Sequence, residues 1–328
     1  MQNPHYPHEF PLECLLEHIA VEDRFWSFRH YLCHIVLQNQ QCMKTKLLMA
    51  LLLFPVCVLA QERVTVKGRI VNEQGEAVEY VQVGVPKRNI GTISTEDGYF
   101  EIDVPRDTLE FFHVSYQTAS YPVIGPANDV VIVLKDQELP AAVFIGGNTK
   151  EKYLMRPGTK VAGDNASIAI SVWSEGSMGR ELGSVAHAKK PFLVKDIMLH
   201  IKSNSIPDCV ASINVYRIEG KSFVNVLHKP IYFDIAVSEE PQDFVLHPEE
   251  NVMLEPGNYF ISFQIVGCNQ QALKEFMARP EEERKYWEMT LYTVAYFKSS
   301  YLREAALGQM KQFPVNIGVA VKGLEFLP

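Results

Sequence analysis

Zinc-ligand spacing occurs twice in this 328-residue chain, and neither set is complete. His247-Pro248-Glu249-Glu250 has the H-x-x-E spacing of a zinc-peptidase ligand pair. A catalytic zinc takes three protein ligands and keeps one open position. No histidine follows His247 to act as the third. His30, Cys33 and His34 would share one helix face, an imidazole and thiolate set suited to zinc. They lie upstream of an export signal and read as cleaved or untranslated sequence. Ser174-Glu175-Gly176-Ser177-Met178-Gly179 lacks the G-x-S-x-G spacing and the strand-to-helix setting of a nucleophile elbow. His187, His200 and His228 are available to a serine, but spacing selects none of them. Walker A, Rossmann, C-x-x-C and EF-hand patterns are absent. No catalytic residue, metal or cofactor is expected.

Two other groups have chemistry open to them. Trp173, Tyr286, Trp287 and Tyr301 lie near predicted loops or the one predicted helix. Such side chains either stack on sugars or pack a core. Cys209 precedes a predicted strand and Cys268 ends another. In an oxidising compartment they either pair as a disulfide or stay two buried thiols.

The compartment follows from the first sixty residues. Lys44 and Lys46 precede an apolar run from Leu47 to Ala60. With Val58 and Ala60 at −3 and −1, residues 43–60 read as a signal peptide cleaved between Ala60 and Gln61. The run is shorter than the ~20 apolar residues that span a bilayer. Cys57 follows Phe54-Pro55-Val56, not the compact residues of a lipid-attachment site. Met43 then reads as the initiator, and residues 1–42 as a non-native upstream extension. Half of the ten histidines and four of the six cysteines lie before Gln61. The formal charge of −8 excludes an electrostatic footprint for nucleic acid, and 47% hydrophobic residues exclude a disordered chain.

The elements that would position these groups are strands. Val64, Val66 and Ile70 alternate with polar residues, as do Phe100, Ile102 and Val104. Turns fall at Glu73-Gln74-Gly75, Glu96-Asp97-Gly98 and Pro105-Arg106-Asp107. About seven strands in this stretch predict a small β-sandwich. Residues 137–163 read as a hinge and linker. From 164 to 328 alternation resumes, as in Ile197, Leu199 and Ile201, or Tyr259, Ile261, Phe263 and Ile265. A helical insertion from Gln270 to about Trp287 places Leu273, Phe276 and Met277 on one face, with a break at Pro280. Roughly eight strands in this span fit a jelly-roll-like sandwich. The expected fold is all-β: a small seven-stranded sandwich at 62–136, then a larger one with a helical insertion.

The first block carries Val66-Lys67-Gly68-Arg69-Ile70-Val71-Asn72, Gly75-Glu76-Ala77-Val78, Ile90-Gly91-Thr92 and Thr95-Glu96-Asp97-Gly98-Tyr99-Phe100, in that order. In these motifs it resembles the carboxypeptidase regulatory-like domain. It departs at His113-Val114-Ser115-Tyr116-Gln117-Thr118, where the family's usual glycine is missing. The resemblance implies a transthyretin-like sandwich and an exported protein of Bacteroidota type. Despite its name, that domain contains no peptidase. The motif residues read as fold determinants, with Gly75 and Gly98 supplying tight turns.

These readings converge on a non-enzymatic exported envelope protein, periplasmic or at the outer-membrane or cell surface. It would act by binding or assembly on envelope proteins or glycans. No nucleic-acid partner and no transmembrane span in the mature chain are expected. A carbohydrate-binding accessory protein and a glycan or cell-wall hydrolase are the alternatives.

Overall fold

A computed structural model describes residues 63–137, 147–156, 166–173 and 177–327. The residues read as an upstream extension and as a signal peptide, with the expected Ala60–Gln61 cleavage, and Ser174-Glu175-Gly176 lie outside them.

Seven strands build the first sandwich: β1 (Arg63–Asn72), β2 (Gln82–Val85), β3 (Ile90–Ile93), β4 (Tyr99–Pro105), β5 (Thr108–Phe112), β6 (Ala119–Pro122) and β7 (Ala127–Leu134). One sheet has the order β4-β1-β7, with β7 parallel to β1; the other has the order β3-β2-β5-β6. The alternation in β1 buries Val64, Val66 and Ile70 between the sheets. Phe100 and Phe111 meet edge to face across this core, with ring centroids 5.3 Å apart. Gly75 and Gly98 both adopt positive φ, at 83° and 75°. At Gly98 a Cβ would also stand 2.5 Å from the Ile70 carbonyl oxygen, so the turn excludes any larger residue.

The second sandwich begins inside the stretch read as linker. Its strands are β8 (Thr149–Met155), β9 (Ser167–Ser171), β10 (Glu181–Ala188), β11 (Phe192–Asn204), β12 (Cys209–Glu219), β13 (Ser222–Asn225), β14 (Ile231–Ile235), β15 (Gln242–Leu246), β16 (Met253–Leu254) and β17 (Gly257–Gly267). After helix α1 (Gln270–Ala278) come β18 (Thr290–Tyr296), β19 (Ser300–Arg303), β20 (Lys311–Phe313), β21 (Asn316–Ile317) and β22 (Val319–Phe326). One sheet runs β13-β12-β17-β10-β19-β20, with β14 on β12. The other runs β21-β18-β11-β22-β8, with β9, β15 and β16 as extra partners. The chain alternates between sheets at β10, β11 and β12 and again at β17, β18 and β19. This wiring makes the sandwich jelly-roll-like. β8 hides from pattern reading because it has no clean alternation. It is held by its ladder with β22 and by the pairs Lys152–Glu325 (2.5 Å) and Lys322–Glu151 (2.9 Å).

Ile197, Ile201, Ile213, Phe263 and Leu291 fill the core between these sheets. Helix α1 starts at Asn269, whose side chain accepts from the Ala272 N–H, and ends before Pro280. It buries Phe276, half-buries Leu273 and leaves Met277 exposed, so the apolar face is narrower than its spacing suggests.

Residues 62–328 form one compact unit. The two sandwiches meet on the outer face of the sheet containing β12 and β17. Ile93, Val266 and Ala306 form a buried patch there, with Tyr80, Met178, Val210 and Tyr232 against it. A Cβ on Gly91 would stand 2.0 Å from the Ala306 carbonyl oxygen, so glycine permits the close approach. His113 and Val114, just ahead of the point where the family's glycine is missing, serve this junction: Val114 enters the second core and His113 reaches Tyr232.

Candidate functional site

The junction leaves a cleft of about 1350 Å³ between the sandwiches. The first sandwich contributes Tyr80 and the Thr95-Glu96-Asp97 turn. The second contributes Asp208, Cys209 and Val210 at the start of β12, Asp234 near the end of β14, and Cys268-Asn269 after β17. Glu96, Asp97, Asp208 and Asp234 line it, and among the described residues no Lys, Arg or His does. Such a wall draws cations and repels anions.

The lining is held in strained, tied conformations. Tyr80 and Asp208 are non-glycine residues with φ of 50° and 48°. Each costs about 1–3 kcal/mol and persists only where neighbours hold it, a pattern that clusters at functional sites. The Tyr80 ring packs edge-on to Tyr232, with centroids 5.1 Å apart. Burial pushes the Tyr80 hydroxyl up to about 12, so it stays a neutral donor. Asn269 Nδ2 donates to Asp208 Oδ2 at 2.7 Å, tying the helix cap to the cleft wall. Asp97 accepts from the Thr95 hydroxyl, which holds its carboxyl below the usual range.

Cys209 and Cys268 lie together in this wall. The ladder pairs Val210 with Gly267, and Cys209 and Cys268 are the next residues beyond that rung. Both are thiols. Burial pushes Cys209 up to about 12 and Cys268 up to about 11.

Behind the cleft, on the same sheet face, lies a buried charge. Glu181 is fully buried and accepts from Arg303 Nη1 (2.6 Å), Tyr216 Oη (2.9 Å) and Ser262 Oγ (2.7 Å). Burial works against the Arg303 charge, but Glu181 and Tyr216 outweigh it and hold the guanidinium pKa above its ordinary value. Sequence reading missed this network. Its signal was the polar Ser262 and Gln264 alternating within the otherwise apolar β17.

The four aromatics do not form one platform. Trp173 donates to Thr290 Oγ1 at 3.3 Å and packs on Phe276. Tyr286 and Trp287 are 70% and 49% exposed and touch edge to face at 4.9 Å, with Lys285 over the Trp287 ring. Tyr301 sits apart, against Phe223 and Phe260. The H-x-x-E residues diverge as well. His247 pairs with Asp196 at 2.9 Å, while Glu250 accepts from the His228 and Lys229 N–H groups. His200 pairs with Asp243 and His187 with Asn258. Among the described residues no group of three or more His, Cys, Asp or Glu could hold a metal, and no helix is long and apolar enough to cross a membrane.

The fold thus defines an all-β chain of two joined sandwiches, the first with seven strands. Residues 66–144, which take in most of the first sandwich, match the family model of the CarboxypepD_reg-like domain. No curated protein matches the chain. Among solved structures it is similar to a DUF3823 family protein from Parabacteroides merdae, at 10% identity over 78% of this chain and 98% of that one, with a TM-score of 0.19. A DUF3823 family protein from Bacteroides ovatus matches at 10% identity over 62% and 97%, also with a TM-score of 0.19. The structure of infectious bursal disease virus Gt strain matches at 10% identity over 77% and 63%, with a TM-score of 0.27. At scores this low the fold rests on the chain's own strand pairing.

Proposed function

We propose that this is a non-enzymatic exported cell-envelope protein that acts by binding or assembly, and that the acidic cleft between its sandwiches meets the partner. The observation that carries the reading is the cleft itself. Its walls come from both sandwiches, carry one sign of charge, and include two strained residues held in place by neighbours. A partner segment rich in Lys or Arg complements it. Export rests on the signal-peptide pattern of residues 43–60. The test is capture from envelope extract by the purified protein and by a Glu96→Gln, Asp234→Asn variant. A partner retained by the first and lost by the second supports the reading. Equal retention by both, or a hydrolytic activity abolished by one substitution, overturns it.

A second reading, a carbohydrate-binding accessory role, is favoured by the exposed Tyr286–Trp287 pair. Aromatic faces stack on sugar rings. A glycan array on which Trp287→Ala loses every signal supports it, and an array without signals removes it.

A further inference from the structure

The far ends of β12 and β17 open on a second trough, of about 760 Å³. Ile218 and Asn258 line it, whereas Val210 and Gly267 of the same two strands line the acidic cleft. At the rise of an extended chain, the two sites stand about 30 Å apart along the strands.

Here the charge is reversed. Arg156, Lys189 and Lys298 line the trough with His187, and among the described residues no Asp or Glu does. In a chain of net charge −8, such a wall is not background. No ion pair among the described residues involves Lys189 or Lys298. Uncompensated cations on a concave wall focus their field and concentrate anions. His187 Nδ1 is tied to Asn258 Oδ1 at 2.8 Å, which leaves Nε2 for a ligand.

Tyr301 adds a flat surface beside the cations. Its ring stands edge-on to Phe223 (4.8 Å) and Phe260 (5.8 Å), so its orientation is fixed before any ligand arrives. The Gln312 amide and the Ser299 hydroxyl supply neutral hydrogen-bonding groups in the same trough. The volume is that of a small-molecule site. We infer that this trough binds an acidic saccharide: the sugar ring against Tyr301, its hydroxyls on the neutral polar groups, and its carboxylate between Lys189 and Lys298. The inference stands on the trough alone and is independent of the acidic cleft and of the Tyr286–Trp287 pair.

The test is calorimetric titration of the purified protein with oligogalacturonate, with a neutral galactose oligomer of equal length, and with polyglutamate. The acidic saccharide is expected to bind at least about tenfold tighter than either comparator, and more weakly as salt rises. Lys189→Glu and Lys298→Glu, both at exposed positions, are each expected to weaken it about tenfold or more. Tyr301→Phe should retain binding that Tyr301→Ala loses, and Trp287→Ala should leave it unchanged. Equal affinity for neutral and acidic oligomers, or no affinity for the acidic one, overturns the proposal. So does polyglutamate binding as tightly as the saccharide, since charge alone then accounts for the site.

Discussion

His113 Nε2 of the first sandwich lies 3.1 Å from Tyr232 Oη of the second. The Ser115 N–H donates to His113 Nδ1 at 3.2 Å, which places the imidazole proton on Nε2, donating to the tyrosine. Burial drives the His113 pKa down to about 4 from its ordinary 6.5. Above pH 6.5 both folded and unfolded chains hold a neutral imidazole, and the group adds no pH dependence. Between there and about pH 4 the unfolded chain takes a proton that the folded chain refuses. Stability therefore falls as pH falls through this window, by about 3 kcal/mol in all. Urea unfolding at about pH 7.5 and about pH 4.5 measures it. His113→Asn should show a drop smaller by most of that amount. An unchanged drop contradicts the assignment.

At Gly91 the first sandwich packs against the Ala306 backbone with no room for a Cβ. Gly91→Ala sets a methyl 2.0 Å from a carbonyl oxygen that has no flexible side chain to yield. Overpacking of this kind costs about 1–3 kcal/mol. The variant should melt earlier and expose the Tyr80–Tyr232 contact, read as increased hydrogen exchange at the junction. Wild-type stability would show that the sandwiches do not meet this closely.

Glu181 and Arg303 make the sharpest stability test in the second sandwich. Glu181→Gln leaves a buried guanidinium without its counter-charge, at a cost of about 3–5 kcal/mol. Replacing both residues with Met removes both charges and should cost less than the single change. A double variant as damaged as the single one would mean that packing, not charge, dominates.

Cys209 and Cys268, each one residue beyond the Val210–Gly267 rung of the β12–β17 ladder, are predicted to pair on oxidation. Their raised pKa values make thiolate scarce, so exchange is slow. A disulfide donor of an oxidising compartment would take two electrons and two protons from the pair and leave as a dithiol. Protein recovered from such a compartment should be two hydrogens lighter than protein made in a reducing one. It should also be about 2–4 kcal/mol more stable. Two alkylatable thiols in the exported protein contradict the pairing.

Much of this architecture was legible from side-chain alternation. In β1, β4 and β17 one face of the strand fills a core, and the residue types say so. Gly75, Gly98 and Pro280 were legible because backbone geometry restricts which residues fit. β8 was not, since its stability comes from a ladder with a strand some 170 residues away. Nor was the cleft. Glu96 and Asp97 stand in a turn that looks merely solvated, and only the docking of the second sandwich brings Asp208 and Asp234 opposite them. The junction contacts of His113 and Val114 were not legible either, because their partners lie in the second sandwich.

Site-specific photocross-linking in cells tests the central claim most directly. A photoreactive residue replaces Val237 in the cleft or, as a control, Lys67 on the exposed side of β1. The account expects one discrete protein adduct from position 237, lost with Glu96→Gln and Asp234→Asn, and none from position 67. Adducts of equal yield from both positions, or an adduct at 237 indifferent to the cleft charges, would contradict it.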